Sequence, residues 1–266
     1  MSSNQRTVVV TGSASGMGAA TVARLRSDGA RVIGIDRHDA EIVADLSTAS
    51  GRSGAVDEVR RIAGDSIDGL VTSAGVAGLS NVPGSLLVSV NYFGTVAMLE
   101  GLRPLLAAGD APGAVAVSSN STTCQPGIPI ALVDQCLAGD EEGARVAADT
   151  AGALATYPAT KLAVARWVRR HAPGERWAGA GITLNVIVPG AIETPMLQAT
   201  RDDPVIGKFI DAFPIPVGRT GTPQELADVV SFLLGPSARF CCGSLFFIDG
   251  GTDALIRPDD VPVPMS

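Results

Sequence analysis

A short β-branched run, Thr7-Val8-Val9-Val10-Thr11, passes directly into a glycine-rich turn, Gly12-Ser13-Ala14-Ser15-Gly16-Met17-Gly18, and no other feature restricts the fold as much. The unbroken apolar run reads as a buried parallel strand. After the turn, Ala19, Ala20, Val22, Ala23 and Leu25 give a helix one apolar side, Asp28-Gly29 closes it, and Arg31-Val32-Ile33-Gly34-Ile35-Asp36 forms a second strand. The glycines let the backbone turn tightly and approach a pyrophosphate, whose charge suits the unpaired N–H groups of a helix start. The spacing is Gly-x-x-x-Gly-x-Gly, not the commoner Gly-x-Gly-x-x-Gly, but the flanking strands make it a phosphate cradle.

Asp36 ends the second strand, where a carboxylate accepts hydrogen bonds from the hydroxyls of an adenosine ribose. A 2′-phosphate would be repelled there: at an effective dielectric of about 20, two unit charges ~4 Å apart interact by about 4 kcal/mol before screening. NAD is therefore expected over NADP. Arg37 is the counterweight, although the glycine turn offers no second basic residue to assist it.

The same alternation continues along the chain. Asp68-Gly69-Leu70-Val71-Thr72 reads as a strand ending in Ser73-Ala74-Gly75, where the backbone can pass close to a cofactor. Val88 to Leu106 reads as a long helix carrying Asn91, and Ala114-Val115-Ala116-Val117 as a strand delivering Ser118 and Ser119. Ile182 to Val188 and Leu245 to Ile248 are further strands, with a helix from Pro223 to Leu234 between them. The expected architecture is α/β, a single Rossmann-type doubly wound parallel sheet with helices on both faces, forming one domain over 266 residues.

Tyr157 and Lys161 stand four residues apart, on one face of the helix that Tyr157 is expected to open. A free phenol with a pKa near ~10 is a poor base at neutral pH, but a neighbouring ammonium favours the phenolate. The pair therefore suits proton transfer at a hydroxyl or carbonyl. By itself the spacing also fits an ordinary solvated helix face.

Composition removes other classes. A formal net charge of −7 without a basic run argues against nucleic acid and anionic membranes as partners. Apolar stretches are interrupted by Gly, Pro or charge, so no membrane span is expected, and the amino terminus lacks a signal-peptide pattern; the expected location is cytoplasmic. Cys124, Cys136, Cys241 and Cys242 have no metal-ligand spacing and read as reduced, mostly buried thiols. With His38 and His171 as the only histidines, neither a metal site nor a serine-histidine triad is expected.

Thr11-Gly12-x-x-x-Gly16-x-Gly18, Asp36, Asp45-Leu46, Ala74-Gly75, Asn91, Ser118-Ser119, Tyr157-x-x-x-Lys161, Pro189-Gly190 with Thr194, and Asp249-Gly250-Gly251 together resemble the short-chain dehydrogenase/reductases over nearly the whole chain. The resemblance implies a nicotinamide cofactor, held by Gly12, Ser15, Gly16, Met17, Gly18, Asp36, Asp45, Leu46, Ala74, Gly75, Asn91, Tyr157, Lys161, Pro189, Gly190, Ile192 and Thr194. It implies a catalytic set of Asn91, Ser119, Tyr157 and Lys161. Ser119 would hydrogen-bond the substrate oxygen, Tyr157 exchange its proton, Lys161 hold the ribose, and Asn91 help order a water relay.

The chain departs from the family pattern in three places. Ser73 stands where the family usually has Asn before Ala-Gly; this touches a structural hydrogen bond rather than a catalytic role. Ser119 lies 38 residues before Tyr157 instead of about a dozen, which makes Ser118 and Ser121 rivals for its role. The second serine of the strand-terminal pair is preferred. Cys241-Cys242, before the last strand, reads as packing.

The extra length is an insertion at about 122–156, whose acidic start at Asp140-Glu141-Glu142 and small apolar continuation predict a helix. With the segments at 36–49, 89–94 and 190–198, it is similar to the bacterial 3α-hydroxysteroid dehydrogenase/carbonyl reductase branch, which implies a 3α-hydroxysteroid, or a small apolar alcohol or ketone, as substrate. Another apolar alcohol, such as a terpene or aryl alcohol, is the alternative within enzymes. A non-catalytic dinucleotide-binding sensor is the alternative outside them, but it would have no need of Tyr157 with Lys161. The segment from Thr194 to Pro216 is expected to close over the substrate, and 249–251 with 257–266 border either the pocket or a subunit contact. A homodimer or homotetramer is expected, with the insertion serving either its interface or the cover of the substrate site.

Overall fold

The computed structural model describes residues 5–210 and 213–261. The chain runs β1 (Thr7–Thr11), α1 (Gly16–Ser27), β2 (Arg31–Asp36), β3 (Ile42–Val43), α2 (Ala49–Ala63) and β4 (Gly69–Thr72). A continuous helical run follows: α3 (Gly84–Leu87), a π-helical stretch (Val88–Gly94) and α4 (Thr95–Ala107). After β5 (Gly113–Val117) come α5 (Ser121–Cys124), α6 (Ile130–Ala138), α7 (Glu141–Ala151) and α8 (Ala153–His171). The carboxyl-terminal part holds β6 (Thr183–Pro189), α9 (Pro195–Asp202), α10 (Gly207–Ile210), α11 (Pro223–Leu234), β7 (Leu245–Ile248) and α12 (Thr252–Ile256).

All seven strands are parallel, in the order β3-β2-β1-β4-β5-β6-β7. The order reverses between β1 and β4, and ligands of open α/β sheets bind in the crevice at such a point. Alternation along the strands divides the core. Val9, Ile33 and Leu70 face α2, α4 and α8, whereas Val8, Val10, Val32 and Val71 face α1 and α11. Burial on both sides explains why these strands read as continuous apolar runs.

Helix ends are set locally. Thr222 and Glu225 form a reciprocal capping box at the start of α11, where Pro223 opens the helix without a lost hydrogen bond. The Asp140 side chain accepts from Gly143 N at the start of α7, and Thr48 accepts from Gly51 N at the start of α2.

Several elements differ from expectation. The helix expected from Val88 runs from Gly84 to Ala107 and is π-helical around Asn91, because hydrophobic periodicity does not register one wide turn. By length and composition this 24-residue run is apolar enough to cross a membrane, despite the interruptions noted in the sequence; 61% of its most apolar window is buried inside the protein. Its apolar side therefore serves the core. β3, α2 and α6 were not anticipated. β3 has two residues and α2 is mostly polar outside Ala55, Val56 and Val59. Tyr157 does not open α8 but sits in its second turn, since Gly152 closes α7 and the helix restarts at Ala153.

The insertion contributes α6 and α7, which fold back on the chain itself. Leu132, Val133, Cys136, Ala144 and Ala148 are buried in the same core layer as α8. Contrary to expectation the cysteines are not mostly buried: Cys136 is, Cys124 and Cys241 are half-buried, and Cys242 is exposed.

Candidate active site

The cleft begins at the carboxyl end of β1. Gly12 N donates to Ile35 O at 2.8 Å, and the Thr11 hydroxyl accepts from Ala74 N at 3.1 Å, tying the ends of β1, β2 and β4 together. Gly12 has φ +69°, and a Cβ there would lie 2.8 Å from the Ala74 backbone; one on Gly18 would lie 1.9 Å from the Gly12 carbonyl. The bare backbone at both positions is what closes the turn over the start of α1.

Gly12, Ser15, Gly16, Met17, Gly18, Asp36, Asp45, Leu46, Ala74, Gly75 and Thr194, all expected from the sequence, line one cleft. Asp36 is held by Ala14 N at 3.0 Å and Arg37 N at 2.7 Å, one on each carboxylate oxygen. Each oxygen keeps further acceptor capacity toward the cleft, which Arg37 also lines. Hydrogen bonds from Ser47 hold the Asp45 carboxyl below its usual range. Thr194 caps α9, accepting from Leu197 N at 3.2 Å, and presents Pro195 and Met196 to the cleft.

Pro189, Gly190 and Ile192 do not line this cleft. Pro189 O and Gly190 N are engaged by Asn120 N and Ile248 O, and Ile192 is buried in the core beside α11. Conversely, Ile35, Ser47, Val76, Leu86 and Val90 line it without having been picked out as cofactor contacts, and so does Ser73, whose backbone was expected close to the cofactor. Their neighbours Asp36, Leu46, Gly75 and Asn91 carried the recognisable pattern; apolar wall residues carry none.

Asn91, Tyr157 and Lys161, also expected among the cofactor contacts, do not line this cleft either; α8 brings Lys161 up against Gly75 and Tyr157 against Gly78. Pro158 has no N–H for the Leu154 carbonyl, and the Gln125 side chain supplies one at 2.9 Å. Ser119 lies just beyond β5 and accepts from Ser121 N at 3.2 Å, and its hydroxyl is close enough to the Tyr157 phenol to lower its pKa. Ser118 instead donates to Lys161 O at 2.9 Å. The Ser121 hydroxyl is buried with no hydrogen-bond partner among the described residues.

The charge balance of Tyr157 and Lys161 differs from expectation. The Lys161 ammonium, 5% exposed, donates to Val117 O at 3.1 Å and lies 5.9 Å from the centroid of the Tyr157 ring. Burial pushes the phenol of Tyr157 up, and the Ser119 hydrogen bond acts against it. Burial also pulls Lys161 down to about 8. Desolvation thus outweighs the ammonium's pull on the phenol in this site.

Asn91 is fully buried, and its side chain accepts from Val76 N at 2.7 Å while donating to Val76 O at 3.0 Å. The geometry is that of a clamp on the loop after β4. A Cβ on Gly75 would lie 3.3 Å from Asn91 Oδ1 and 3.5 Å from Lys161 Nζ, so this loop passes directly above both.

The segment from Thr194 to Pro216 starts on the cleft wall and is tied to the loop after β4. The Asp203 carboxylate accepts from the Ser80 amide and hydroxyl, each at 2.8 Å, and these hydrogen bonds, Ser80 N foremost, hold Asp203 down to about 2. Residues 211 and 212 of this segment lie outside the described residues, as do 262–266 of the carboxyl end. Thr252 donates to Pro214 O at 2.8 Å and Val217 N to Gly250 O at 3.1 Å, so the 249–252 turn anchors the base of this segment. No cluster able to hold a metal ion occurs among the described residues.

Residues 6–130 match the family described as short chain dehydrogenase, and residues 142–253 match the one described as Enoyl-(Acyl carrier protein) reductase. The chain is 41% identical over 256 residues to the 3-alpha-hydroxysteroid dehydrogenase/carbonyl reductase of Comamonas testosteroni, covering 94% of this chain and 98% of that one. It is 31% identical to the cyclohexanol dehydrogenase of Rhodococcus sp. (strain TK6), with 92% and 95% of the two chains covered. The crystal structure of the 3-alpha-hydroxysteroid dehydrogenase from Pseudomonas sp. B-0831 complexed with NADH superposes with a TM-score of 0.91 at 46% identity, covering 95% of this chain and 99% of that one.

Proposed function

The chain belongs to the short-chain dehydrogenase/reductase family and is an oxidoreductase with a nicotinamide cofactor, and from that premise we propose that it interconverts a 3α-hydroxysteroid, or a similarly apolar secondary alcohol, with the corresponding ketone. The observation that carries this reading is Ser119 facing Tyr157 beside the glycine-turn cleft, in a chain so similar to 3-alpha-hydroxysteroid dehydrogenases. Similarity to a cyclohexanol dehydrogenase supports a simpler cyclic alcohol as the second reading.

The cleft suits NAD: bare backbone at Gly12 and Gly18 leaves room for a pyrophosphate, and the fixed Asp36 carboxylate offers acceptors to ribose hydroxyls. When bound, the nicotinamide accepts or returns the hydride. Ser119 donates to the substrate oxygen and Tyr157 takes the alcohol proton. Lys161, beneath the Gly75 loop, would hold the ribose, and its charge would act against the desolvation that raises the phenol. Asn91 keeps that loop in place through Val76.

The fold acts as one catalytic domain in the cytoplasm, consistent with four unbridged cysteines. Self-association into a homodimer or homotetramer uses the outer face of the insertion, where Ile130, Val146 and Leu154 are exposed.

The test is to incubate the protein with NAD and a panel of 3α-hydroxysteroids, 3β epimers and cyclic alcohols, following NADH absorbance. Turnover of cyclohexanol alone would replace the steroid reading, and no turnover of any alcohol would sink both.

A further inference from the structure

The insertion is bound to the cofactor cleft by one buried side chain. Arg52 on α2 pairs with Glu141, the first residue of α7, through Nη1–Oε2 at 2.7 Å and Nη2–Oε1 at 2.5 Å. The same guanidinium donates from Nε to Leu46 O at 2.8 Å and from Nη2 to Ser47 O at 3.1 Å and Ser89 O at 3.2 Å. One turn further along α7, Arg145 donates to the Ser89 hydroxyl at 2.9 Å. Two positions 89 residues apart are thereby fixed to one another.

Leu46 and Ser47 form the cleft wall beyond Asp36. A dinucleotide with its pyrophosphate at Gly16–Gly18 and its ribose at Asp36 places the adenine against that wall. The position of the wall depends on Arg52, because β3 before it has only two residues and Ser47 lies outside any strand or helix. Arg52 depends in turn on Glu141, since a buried guanidinium without its carboxylate seeks water and lets go of both carbonyls.

We propose that the inserted helix braces the adenosine end of the cofactor site, with Glu141 and Arg52 as positioning residues for Leu46 and Ser47. This rests on the reading of the cleft as an NAD site. It gives the insertion a role beyond covering substrate or joining subunits: it sets affinity for the adenosine half of the cofactor.

The test uses Glu141→Gln, which keeps the shape of a partly exposed side chain, and Arg52→Lys, which keeps the charge but cannot span a carboxylate and three carbonyls. Measured with the full chain, the KM for NAD and the dissociation constant for ADP-ribose should rise together by about fivefold or more, roughly the loss of one hydrogen bond's worth of binding. The kcat at saturating NAD and the KM for the alcohol should stay within about twofold. ADP-ribose affinity unchanged in Glu141→Gln would overturn the inference, as would kcat and alcohol KM worsening in step with it, the mark of general damage. A wild type that binds NADH and turns over, with both variants matching it in ADP-ribose affinity and KM for NAD, would sink the brace alone; a wild type that binds neither NADH nor ADP-ribose would sink the cofactor reading beneath it.

Discussion

Ser118 donates its hydroxyl to the main-chain carbonyl of Lys161, 2.9 Å away and 43 residues later in the chain. That bond holds the end of β5 to α8 and occupies Ser118, and Ser119 is the serine that acts on the Tyr157 phenol. Ser118→Ala should therefore cost about 1 kcal/mol of stability with kcat nearly intact. Ser119→Ala should lower kcat about a hundredfold with little change in melting temperature. Steady-state kinetics and thermal melts of both variants distinguish them, and the reverse pattern would reassign the catalytic serine.

Tyr157→Phe should retain NADH binding and lose turnover, since it removes only the oxygen that exchanges a proton. The expected fall in kcat is on the order of a hundredfold to ten-thousandfold. Fluorescence titration with NADH, run beside the rate assay, shows whether binding and chemistry separate; a variant keeping more than about a third of the wild-type kcat would remove Tyr157 from the mechanism.

Asp36 should make the enzyme prefer NAD over NADP by about tenfold or more in kcat/KM, because its carboxylate faces the position of a 2′-phosphate. Asp36→Ala should narrow that ratio, with Arg37 on the same cleft wall then free to meet the phosphate. Equal use of both cofactors by the wild type would refute the assignment.

Lys161 gives a pH signature without substrate. Its pKa is drawn from 10.5 down to about 8 by burial, so between those values the folded protein holds the amine neutral while the unfolded chain still binds the proton. Stability must then rise with pH across that window and level off above it. Relative to Lys161→Met, the cofactor-free wild type should gain on the order of 3 kcal/mol from pH 8 to pH 10.5 in urea unfolding, and a flat difference would show the amine is not buried as described.

The outer face of the insertion should carry a subunit contact. Val146→Glu and Leu154→Glu place charges on exposed apolar positions and should shift the particle mass toward monomer in light scattering, without changing the KM for NAD. An unchanged mass would direct attention to Phe232 and Phe240, which are also exposed.

Most of this architecture was legible because buried parallel strands announce themselves: β1, β2, β5 and β7 are runs of Val, Ile, Phe or Ala bounded by Gly or Asp. The glycine turn was legible for a related reason, since only residues without a Cβ fit where Gly18 meets the Gly12 carbonyl. What stayed hidden is what long-range contacts create. Nothing local distinguishes Ser118 from Ser119, or marks Arg52 among the arginines as the one that reaches Glu141. The pull of Lys161 on the phenol was anticipated from helical spacing, but the desolvation that opposes it depends on how deep the whole site lies.

The π-helical stretch from Val88 to Gly94 has a further consequence, for changes in chain length. A wide turn holds one residue more than a regular one, so removing a single residue there would restore an ordinary helix and leave the backbone continuous. The helix on either side would keep its facing, because the residue lost is the extra one that the wide turn accommodates, whereas a deletion in the regular helix of α4 would rotate one side by about 100° against the other. There either Asn91 would swing off Val76, or Leu102 and Leu106 would leave the core. One-residue deletions should thus be survived more often within Val88–Gly94, away from Asn91, than within Thr95–Ala107, and a deletion library should show its gap in survivors over α4.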